Sequence, residues 1–396
     1  MKVIFTILNL ILASVSFTIQ GCKAQPQAQI AGQITLHPAW KAEVYLIHPR
    51  NFSEIAANFL GQVIDSADID ADGNFAFQNL PAIQEKLLLQ LVVQKSSNRY
   101  PNQLADTIPS EANYMPFILS KGNPVIIKAD ISAFQKSFVF SNTTNDNSML
   151  ISLRDIRLNA FQKYLAEDVK EIQADSMLIE KENLYRTYIN ALMWFADTTT
   201  NIEAAMVAIR WISLNGDFER VPEFIKGQCQ KWQRDKPENL FTVQLCHVAD
   251  KNILPVMVGD LMPEFALPLI TGDTVMLSKL LGQRLTIVDI WASWCAPCRK
   301  ENRMVLTPLW SAYKAKGLQI IGYSIDNNAS SWKSAVLKDG ASWSHSSHLT
   351  GDATPFLEAL RISTIPANFI LDGGGKIIAK NLNGDALIEF VKSQLD

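Results

Sequence analysis

The spacing of hydrophobic and polar positions changes twice along the chain and divides it into three segments. In the first, residues 28–143, short apolar or alternating runs are separated by Asn, Asp, Gly, Pro and Ser, as in β-strands joined by turns. Asp72 and Gly73 form a hairpin turn signal ahead of one run. We expect an all-β, sandwich-like domain over residues 30–143, with strands at Gln33–Leu36, Ala42–Ile47, Asn74–Phe77, Leu87–Val93, Val125–Ala129 and Phe138–Phe140.

In the second segment, residues 146–254, apolar residues recur at every third or fourth position, which predicts helices. One stripe runs from Met149 to Tyr164, and the pattern continues over 201–215, 221–232 and 238–251. The last of these helices is predicted to begin just after Pro237, since proline suits a first helical position. We expect an α-helical domain over residues 144–254 that serves as a spacer or docking module.

The third segment, from Val258 onward, alternates buried strands with helices and predicts an α/β domain over residues 255–396. It begins with a hairpin, Phe265–Leu269 and Thr274–Leu277, and ends with a helix at Asp385–Leu395. Between them we predict the strand Leu285–Trp291, the helix Cys295–Lys316, the strand Leu318–Ile325, the helix Ser330–Lys338, and the strands Asn368–Asp372 and Ile377–Ala379.

The N-terminus has the features of a targeting segment. Lys2 supplies a short positive region and Val3–Phe17 is largely apolar, too short to span a membrane but typical of a signal peptide. The following Gly21 and Cys22 resemble a bacterial lipobox. We expect a signal peptide at 1–21 and a lipidated Cys22 that begins a tether over 22–29. The alternative is ordinary cleavage after Ala24, and either route places the mature protein outside the cytoplasm.

Composition limits the function classes. The 396 residues are enough for two or three domains, and 48% are hydrophobic. Because 36 Lys and Arg are nearly balanced by 39 Asp and Glu, with no basic block, we expect no nucleic-acid binding.

Two cysteines carry the candidate chemistry. Cys295 and Cys298 lie in the first turn of the predicted helix Cys295–Lys316, shortly after the predicted strand Leu285–Trp291. A C-x-x-C spacing at such a strand-to-helix junction indicates a dithiol redox site. A helix N-terminus favours a thiolate, so Cys295 is the candidate nucleophile and Cys298 the resolving thiol. Half of a zinc site is the alternative, but no second C-x-x-C completes four ligands, and the other ligand-like pair is His345 with His348. We expect no metal and no cofactor besides the redox-active disulfide.

The residues around this dithiol resemble the thioredoxin superfamily, and within it the TlpA/ResA-like extracytoplasmic thiol:disulfide oxidoreductases. Trp294 precedes Cys295 as in the W-C-x-P-C motif, Asp289 stands where thioredoxins carry a buried acid, and Glu301 stands where ResA-like proteins carry a glutamate. Thr364–Pro366 resembles the cis-proline loop. The resemblance covers about residues 256–396 and implies a thioredoxin fold with a TlpA-type N-terminal hairpin.

One position departs from the pattern: Arg303 stands where these proteins often carry proline, and we expect Pro308 to kink the helix instead. The upstream strands resemble the small β domain that precedes thioredoxin domains in many bacterial lipoproteins. That resemblance rests on Val63–Ala67, Asp72–Phe77 and Leu119–Asn123.

The resemblance implies thiol–disulfide exchange through a mixed disulfide. Asp289 is the candidate base for Cys298, and Glu301, one turn further along the helix, is expected to reach the same pocket. The alternative roles are an acid paired with a lysine for Asp289 and a solvated helix residue for Glu301. For substrate binding, Ile365 is expected to pair with an extended strand, Pro366 to withhold an N–H near the sulfurs, and Trp294 to shield the disulfide.

The expected partners are disulfide-containing envelope proteins and a thiol-type electron donor in the membrane, since most such relatives act as reductants. The lipid anchor would hold the chain on the periplasm-facing side of a membrane. Two alternatives stay open: an oxidase that donates disulfides, and an envelope binding protein with an accessory thioredoxin module. A T-x-x-C peroxidase is disfavoured because Ala292 occupies the threonine position.

Cys229 and Cys246 are the remaining cysteines. They are interpreted either as small buried residues on a helical hairpin or as a structural disulfide, which an oxidising compartment permits. Their unequal distances from the turn near Lys236 and Pro237 argue mildly against the disulfide.

Overall fold

The computed structural model of the protein describes residues 29–80, 83, 86–166 and 178–396. The predicted signal peptide, Cys22 and all but the last residue of the predicted tether lie outside these residues. Across the described ranges, no helix is both long and apolar enough to cross a membrane.

The first segment forms two four-stranded sheets. One has the order β4-β1-β7-β8 and pairs β1 with β7 in parallel; its strands are β1 (Ile30–Thr35), β4 (Asn74–Ala76), β7 (Val125–Asp130) and β8 (Val139–Phe140). The other is antiparallel, in the order β3-β2-β5-β6, with β2 (Trp40–His48), β3 (Gln62–Asp68), β5 (Lys86–Lys95) and β6 (Tyr114–Ser120). The strand prediction missed β3 and β6. Strand β6 is buried along nearly its whole length and so shows no alternation.

The second segment is helical, as predicted, and its long helices pack against one another. Its helices are α2 (Asn145–Tyr164), α3 (Leu178–Thr198), α4 (Ile202–Ile212), α5 (Pro222–Asp235) and α6 (Leu240–Val248), while the short helix α1 (Phe134–Ser137) belongs to the first segment. Helix α3 was not predicted. Exposed aromatic residues such as Tyr185 and Trp194 interrupt its polar face and obscure the apolar stripe.

Strands and helices of these two segments share one hydrophobic core, which extends from Ile30 to Leu254. The side chain of Asn147 on α2 accepts from the Ile118 N–H at 2.8 Å and donates to the Ile118 carbonyl at 2.9 Å, so it continues the ladder of β6. Trp211 on α4 donates to the hydroxyl of Tyr114 at 2.8 Å. The helices therefore complete the core of the strands.

Residues 256–395 enclose a second core. A five-stranded sheet in the order β13-β12-β11-β14-β15 places β11 at its centre, parallel to β12 and antiparallel to β14. Its strands are β11 (Leu285–Trp291), β12 (Leu318–Ser324), β13 (Ser344–Ser346), β14 (Ala367–Asp372) and β15 (Ile377–Lys380), and β9 (Ala266–Pro268) pairs with β10 (Thr274–Met276) as the predicted hairpin. The C-terminal region thus has the thioredoxin-like fold that the sequence predicted.

The helix that follows β11 is continuous but not uniform. It consists of α7 (Ala296–Glu301), a π turn (Asn302–Leu306), α8 (Thr307–Tyr313) and a short 3₁₀ end (Lys314–Lys316). The wider π turn lies just ahead of Pro308, where a missing N–H and a bulky ring disturb the ordinary ladder. The remaining helices of this region are α9 (Ala329–Asp339), α10 (Pro355–Leu360) and α11 (Asp385–Leu395).

Candidate active site

Cys295 and Cys298 form a disulfide at the start of α7, with their Cα atoms 5.3 Å apart. Cys295 is the N-cap residue, and its Sγ atom accepts from the Cys298 N–H at 3.3 Å. Its carbonyl accepts from the Arg299 N–H at 3.0 Å. Since the first N–H groups of a helix have no partner within the helix, they are available to stabilise a sulfur anion at this position.

The two sulfurs differ in accessibility. Both cysteines are largely buried, Cys298 at 2% and Cys295 at 6% residue exposure, and Cys295 is the more exposed of the two. Trp294, immediately before it, is 67% exposed and forms part of the surface around the disulfide.

Asp289 lies on the central strand β11 and is buried. Burial raises the pKa of its carboxyl to about 8, and the nearby charge of Glu301 contributes to this rise. Near neutral pH the carboxyl therefore retains its proton for most of the time. No ion pair with a lysine is present at this residue among the described side chains, unlike the alternative considered from the sequence.

Glu301 is buried on α7 rather than solvated. Its Oε1 atom accepts from the Gly384 N–H at 2.9 Å, at the start of α11. Burial raises the pKa of this carboxyl as well, against the opposing effect of that hydrogen bond. The structure therefore brings Asp289 and Glu301 into electrostatic contact in the interior beside the active-site helix.

The loop Ser363–Pro366, called the Pro366 loop below, contains a cis peptide bond between Ile365 and Pro366. Ile365, Pro366 and Pro297, which lies between the two cysteines, line one cavity. Within the described parts of the chain, no hydrogen bond engages the Ile365 N–H or carbonyl. A strand-like ligand thus has a free donor and a free acceptor beside the disulfide.

Two buried aspartates support the site, and the sequence reasoning missed both. Asp326 accepts from the N–H of Ser293 at 2.8 Å and from its hydroxyl at 2.5 Å, which fixes the loop ahead of Cys295. Asp339, at the end of α9, pairs with Arg299 and Arg303. The position of Asp326 just after a buried parallel strand could have indicated it, because the carboxyl ends of such strands meet at one edge of a sheet.

The helical segment also reaches the site, through the loop between α4 and α5. The carboxylate of Glu219 accepts from the N–H groups of Ser363 at 2.8 Å and Thr364 at 3.1 Å. The guanidinium of Arg220 donates to the Pro366 carbonyl at 3.1 Å. These residues therefore hold the Pro366 loop on both sides of Ile365, and no local pattern in the sequence marks them.

His345 and His348 face different surroundings. His345 is buried against Trp291 and Trp343, its Nε2 atom lies 3.0 Å from the Ala341 carbonyl, and burial lowers its pKa to about 4. The Nδ1 atom of His348 lies 2.6 Å from the hydroxyl of Tyr323. The two rings are thus used in packing and local hydrogen bonds.

The C-terminal region is similar to several known proteins. Residues 258–380 match the AhpC/TSA family. The chain is similar to a thiol-disulfide oxidoreductase ResA of Bacillus cereus, at 26% identity over 156 residues that cover 39% of this chain and 83% of that protein. It is also similar to the thiol:disulfide interchange protein DsbE of Pseudomonas fluorescens biotype C, at 33% identity over 78 residues, or 19% of this chain and 41% of that protein.

Two solved structures are also similar to this chain. A thiol-disulfide oxidoreductase from Bacteroides fragilis NCTC 9343 is 31% identical, with a TM-score of 0.32 and coverage of 34% of this chain and 98% of that one. The thioredoxin domain of a thiol-disulfide oxidoreductase from Bacteroides vulgatus is 30% identical, with a TM-score of 0.33 and coverage of 36% and 99%.

Proposed function

We propose that this chain reduces disulfides of cell-envelope proteins. The premise is that the C-terminal domain is an AhpC/TSA-type member of the thioredoxin superfamily with thiol-disulfide oxidoreductase relatives. The observation that carries the proposal is the Cys295–Cys298 pair at a helix start beside the Pro366 loop. In that place a dithiol has an activated sulfur, a second sulfur within bonding distance and a surface for a polypeptide.

The reaction starts from the reduced dithiol. The Cys295 thiolate attacks one sulfur of the substrate disulfide, so a mixed disulfide forms and the first substrate thiolate leaves. The Cys298 thiolate then attacks the Cys295 sulfur, which closes the Cys295–Cys298 bond and releases the second substrate thiolate. The substrate gains two electrons and, after protonation, becomes a dithiol. A dithiol donor must then reduce Cys295–Cys298 again.

Asp289 and Glu301 serve the second step, in which Cys298 must lose a proton. Since the pKa of Asp289 is about 8, its ionised fraction and the rate of resolution should rise together as the pH passes through that value. Replacing Asp289 with Asn, or Glu301 with Gln, should slow resolution by about 10²-fold with a smaller effect on mixed-disulfide formation. Stopped-flow measurement of both steps is the test; unchanged resolution between about pH 6 and 9 would remove the proton-transfer role.

The direction of electron flow is tested with insulin and dithiothreitol. Wild type should accelerate insulin reduction and Cys295→Ser should not. In growing cells the dithiol should be mainly reduced, and a fully oxidised dithiol with an intact electron supply would favour a disulfide-donating oxidase. Replacing Cys298 with Ser should trap substrates on Cys295, and mass spectrometry of the trapped adducts would identify them.

The envelope location rests on the apolar N-terminal run followed by Gly21 and Cys22. We expect a lipidated Cys22 as the mature N-terminus in the membrane fraction. Mass spectrometry decides this point, and an unmodified N-terminus at Gln25 would contradict it.

A further inference from the structure

A groove extends from the disulfide to the helical segment. Its inner part is a cavity of about 220 Å³. Pro297, Ile365 and Pro366 of the redox domain line one wall. Glu182, Arg186 and Arg220 of the helical segment line the other. A ligand in this cavity therefore contacts both parts of the chain and lies next to the cysteines.

The groove continues away from the disulfide. A second cavity of about 430 Å³ shares Glu182, Arg186, Arg220 and Asn381 with the first and follows α3 as far as Met193. An elongated path of this kind suits an extended chain better than a compact small molecule. At its inner end the free N–H and carbonyl of Ile365 can pair with such a chain.

The charges along the groove are not balanced at Arg186. Its guanidinium donates to the Asn381 carbonyl at 2.5 Å, and no carboxylate of the described residues lies within the 4.0 Å of an ion pair. The other charges nearby have partners: Arg220 lies 3.8 Å from Glu182, Lys380 lies 3.1 Å from Glu223, and Glu219 accepts from Ser363 and Thr364. Among the described residues, Arg186 is thus a groove cation that no carboxylate neutralises through an ion pair.

We propose that this groove binds the extended polypeptide that flanks the substrate's disulfide, and that Arg186 selects an acidic side chain close to the substrate cysteine. Arg220 and Glu219 are positioning residues, because they hold the Pro366 loop rather than the substrate. The inference rests on the proposed function and adds to it the kind of polypeptide that reaches Cys295.

The test uses the reduced full-length chain and synthetic peptides. Each peptide carries one cysteine as a mixed disulfide with thionitrobenzoate and one variable residue, Glu, Gln or Lys, placed in turn on either side of the cysteine. The second-order rate of thionitrobenzoate release is measured and divided by the rate with free dithiothreitol, which removes differences in intrinsic reactivity. On one side of the cysteine, wild type should prefer Glu over Lys by about threefold to tenfold, as expected for one partly exposed ion pair.

Arg186→Gln should abolish this preference, so that the Glu and Lys peptides react at similar rates. Arg234→Gln is the matched control, because Arg234 is an exposed arginine of the same helical segment outside the groove. It should keep the wild-type preference. If Arg186→Gln also slows the Gln peptide, Arg186→Lys decides: a restored preference for Glu supports the proposal, and its absence overturns it.

Four other results would overturn the inference. Equal rates for all peptides with wild type, or a preference that survives Arg186→Gln, would remove the groove's role while leaving the redox function intact. Absence of a preference together with a wild-type dimer that Arg186→Gln dissociates in sedimentation would assign the groove to a second copy of the chain. Rates no faster than those of Cys295→Ser would defeat the proposed function itself.

Discussion

At the scale of single residues, the main feature of the candidate active site besides the disulfide is a pair of buried carboxyl groups. Asp289 and Glu301 are both removed from water, and burial is the largest cause of the raised pKa at each. Because the charge of Glu301 also acts on Asp289, ionising both carboxyls together is unfavourable. The pair can therefore hold a proton beside the active-site helix at neutral pH.

This arrangement predicts a pH-dependent stability. The folded protein keeps the Asp289 proton up to a pKa of about 8, whereas the unfolded chain loses it near the ordinary value of 3.8. Stability should therefore fall as the pH rises between these values, by up to about 1.4 kcal/mol per pH unit, and then level off. Asp289→Asn should remove the Asp289 share of this decline in the oxidised protein and so make the slope shallower. Thermal unfolding from about pH 4 to 9 measures it, and equal slopes for variant and wild type would contradict the assignment.

Cys295 should behave as an activated thiol once Cys298 is removed. The backbone N–H of residue 298 already points at its sulfur in the disulfide form. In Cys298→Ser the midpoint of alkylation rate against pH should lie well below the value of about 8.5 for free cysteine. Iodoacetamide labelling across pH measures this, and a midpoint near that of the free thiol would count against a nucleophilic role.

Among the elements, the active-site helix is held in place by an ion-pair cluster rather than by packing alone. Asp339 at the end of α9 is fully buried at its side chain, and it accepts from Arg299 on α7 and from Arg303 in the π turn. The cluster thus ties α9 to the helix that carries both cysteines.

Removing this shared carboxylate should be costly. Asp339→Asn should lower the free energy of unfolding by about 3 kcal/mol, because it leaves the partly buried Arg299 without a counter-charge. Arg303→Gln is the control and should cost less than about 1 kcal/mol, because the Arg303 side chain is 48% exposed. Urea unfolding of both variants makes the comparison, and similar losses for the two would contradict it.

Cys229 and Cys246 are joined, which corrects the mild argument against a disulfide. The turn covers residues 236–239 and is not centred on Lys236 and Pro237, since α5 ends at Asp235 and α6 begins at Leu240. Measured from the helix ends, the two cysteines are equally distant from the turn. Their Cα atoms therefore face each other at 4.9 Å.

This disulfide is expected to be structural. It closes a loop with a sequence separation of 17, so replacing both cysteines with Ala should lower the stability by about 3 kcal/mol. Insulin reduction should not change, because both cysteines lie outside the active site. Chemical unfolding and the insulin assay test the two halves of the prediction; a loss of reductase activity in the folded variant would show that this pair takes part in the redox cycle.

For the whole molecule, the division between the two cores sets where the chain can be cut. One core ends at Leu254 and the other begins at Val256. A fragment of residues 255–396 should fold alone and unfold cooperatively. A cut between residues 143 and 144 should instead leave the strands without the helices that complete their core. Circular dichroism of the fragments tests both statements, and a folded fragment of residues 29–143 would contradict the second.

The sequence by itself determined the features that depend on near neighbours. The spacing of apolar residues predicted most strands and helices, because periodicity reports which face of an element is buried. The strand–Cys295–Cys298–helix order predicted the candidate redox site, because both sulfurs lie within one turn of a helix. Short or fully buried elements such as β6 and β13 were missed, since they show no period to detect.

Only the tertiary structure decided what depends on distant parts of the chain. Glu301 could equally have faced solvent, and its burial follows from α11, which begins beyond Gly384. The contact of Glu219 with Ser363 joins residues 144 positions apart. The groove around Arg186 also depends on distant residues, because its two walls belong to parts of the chain with separate cores. Such contacts arise from the packing of whole elements, and no local pattern of residues encodes them.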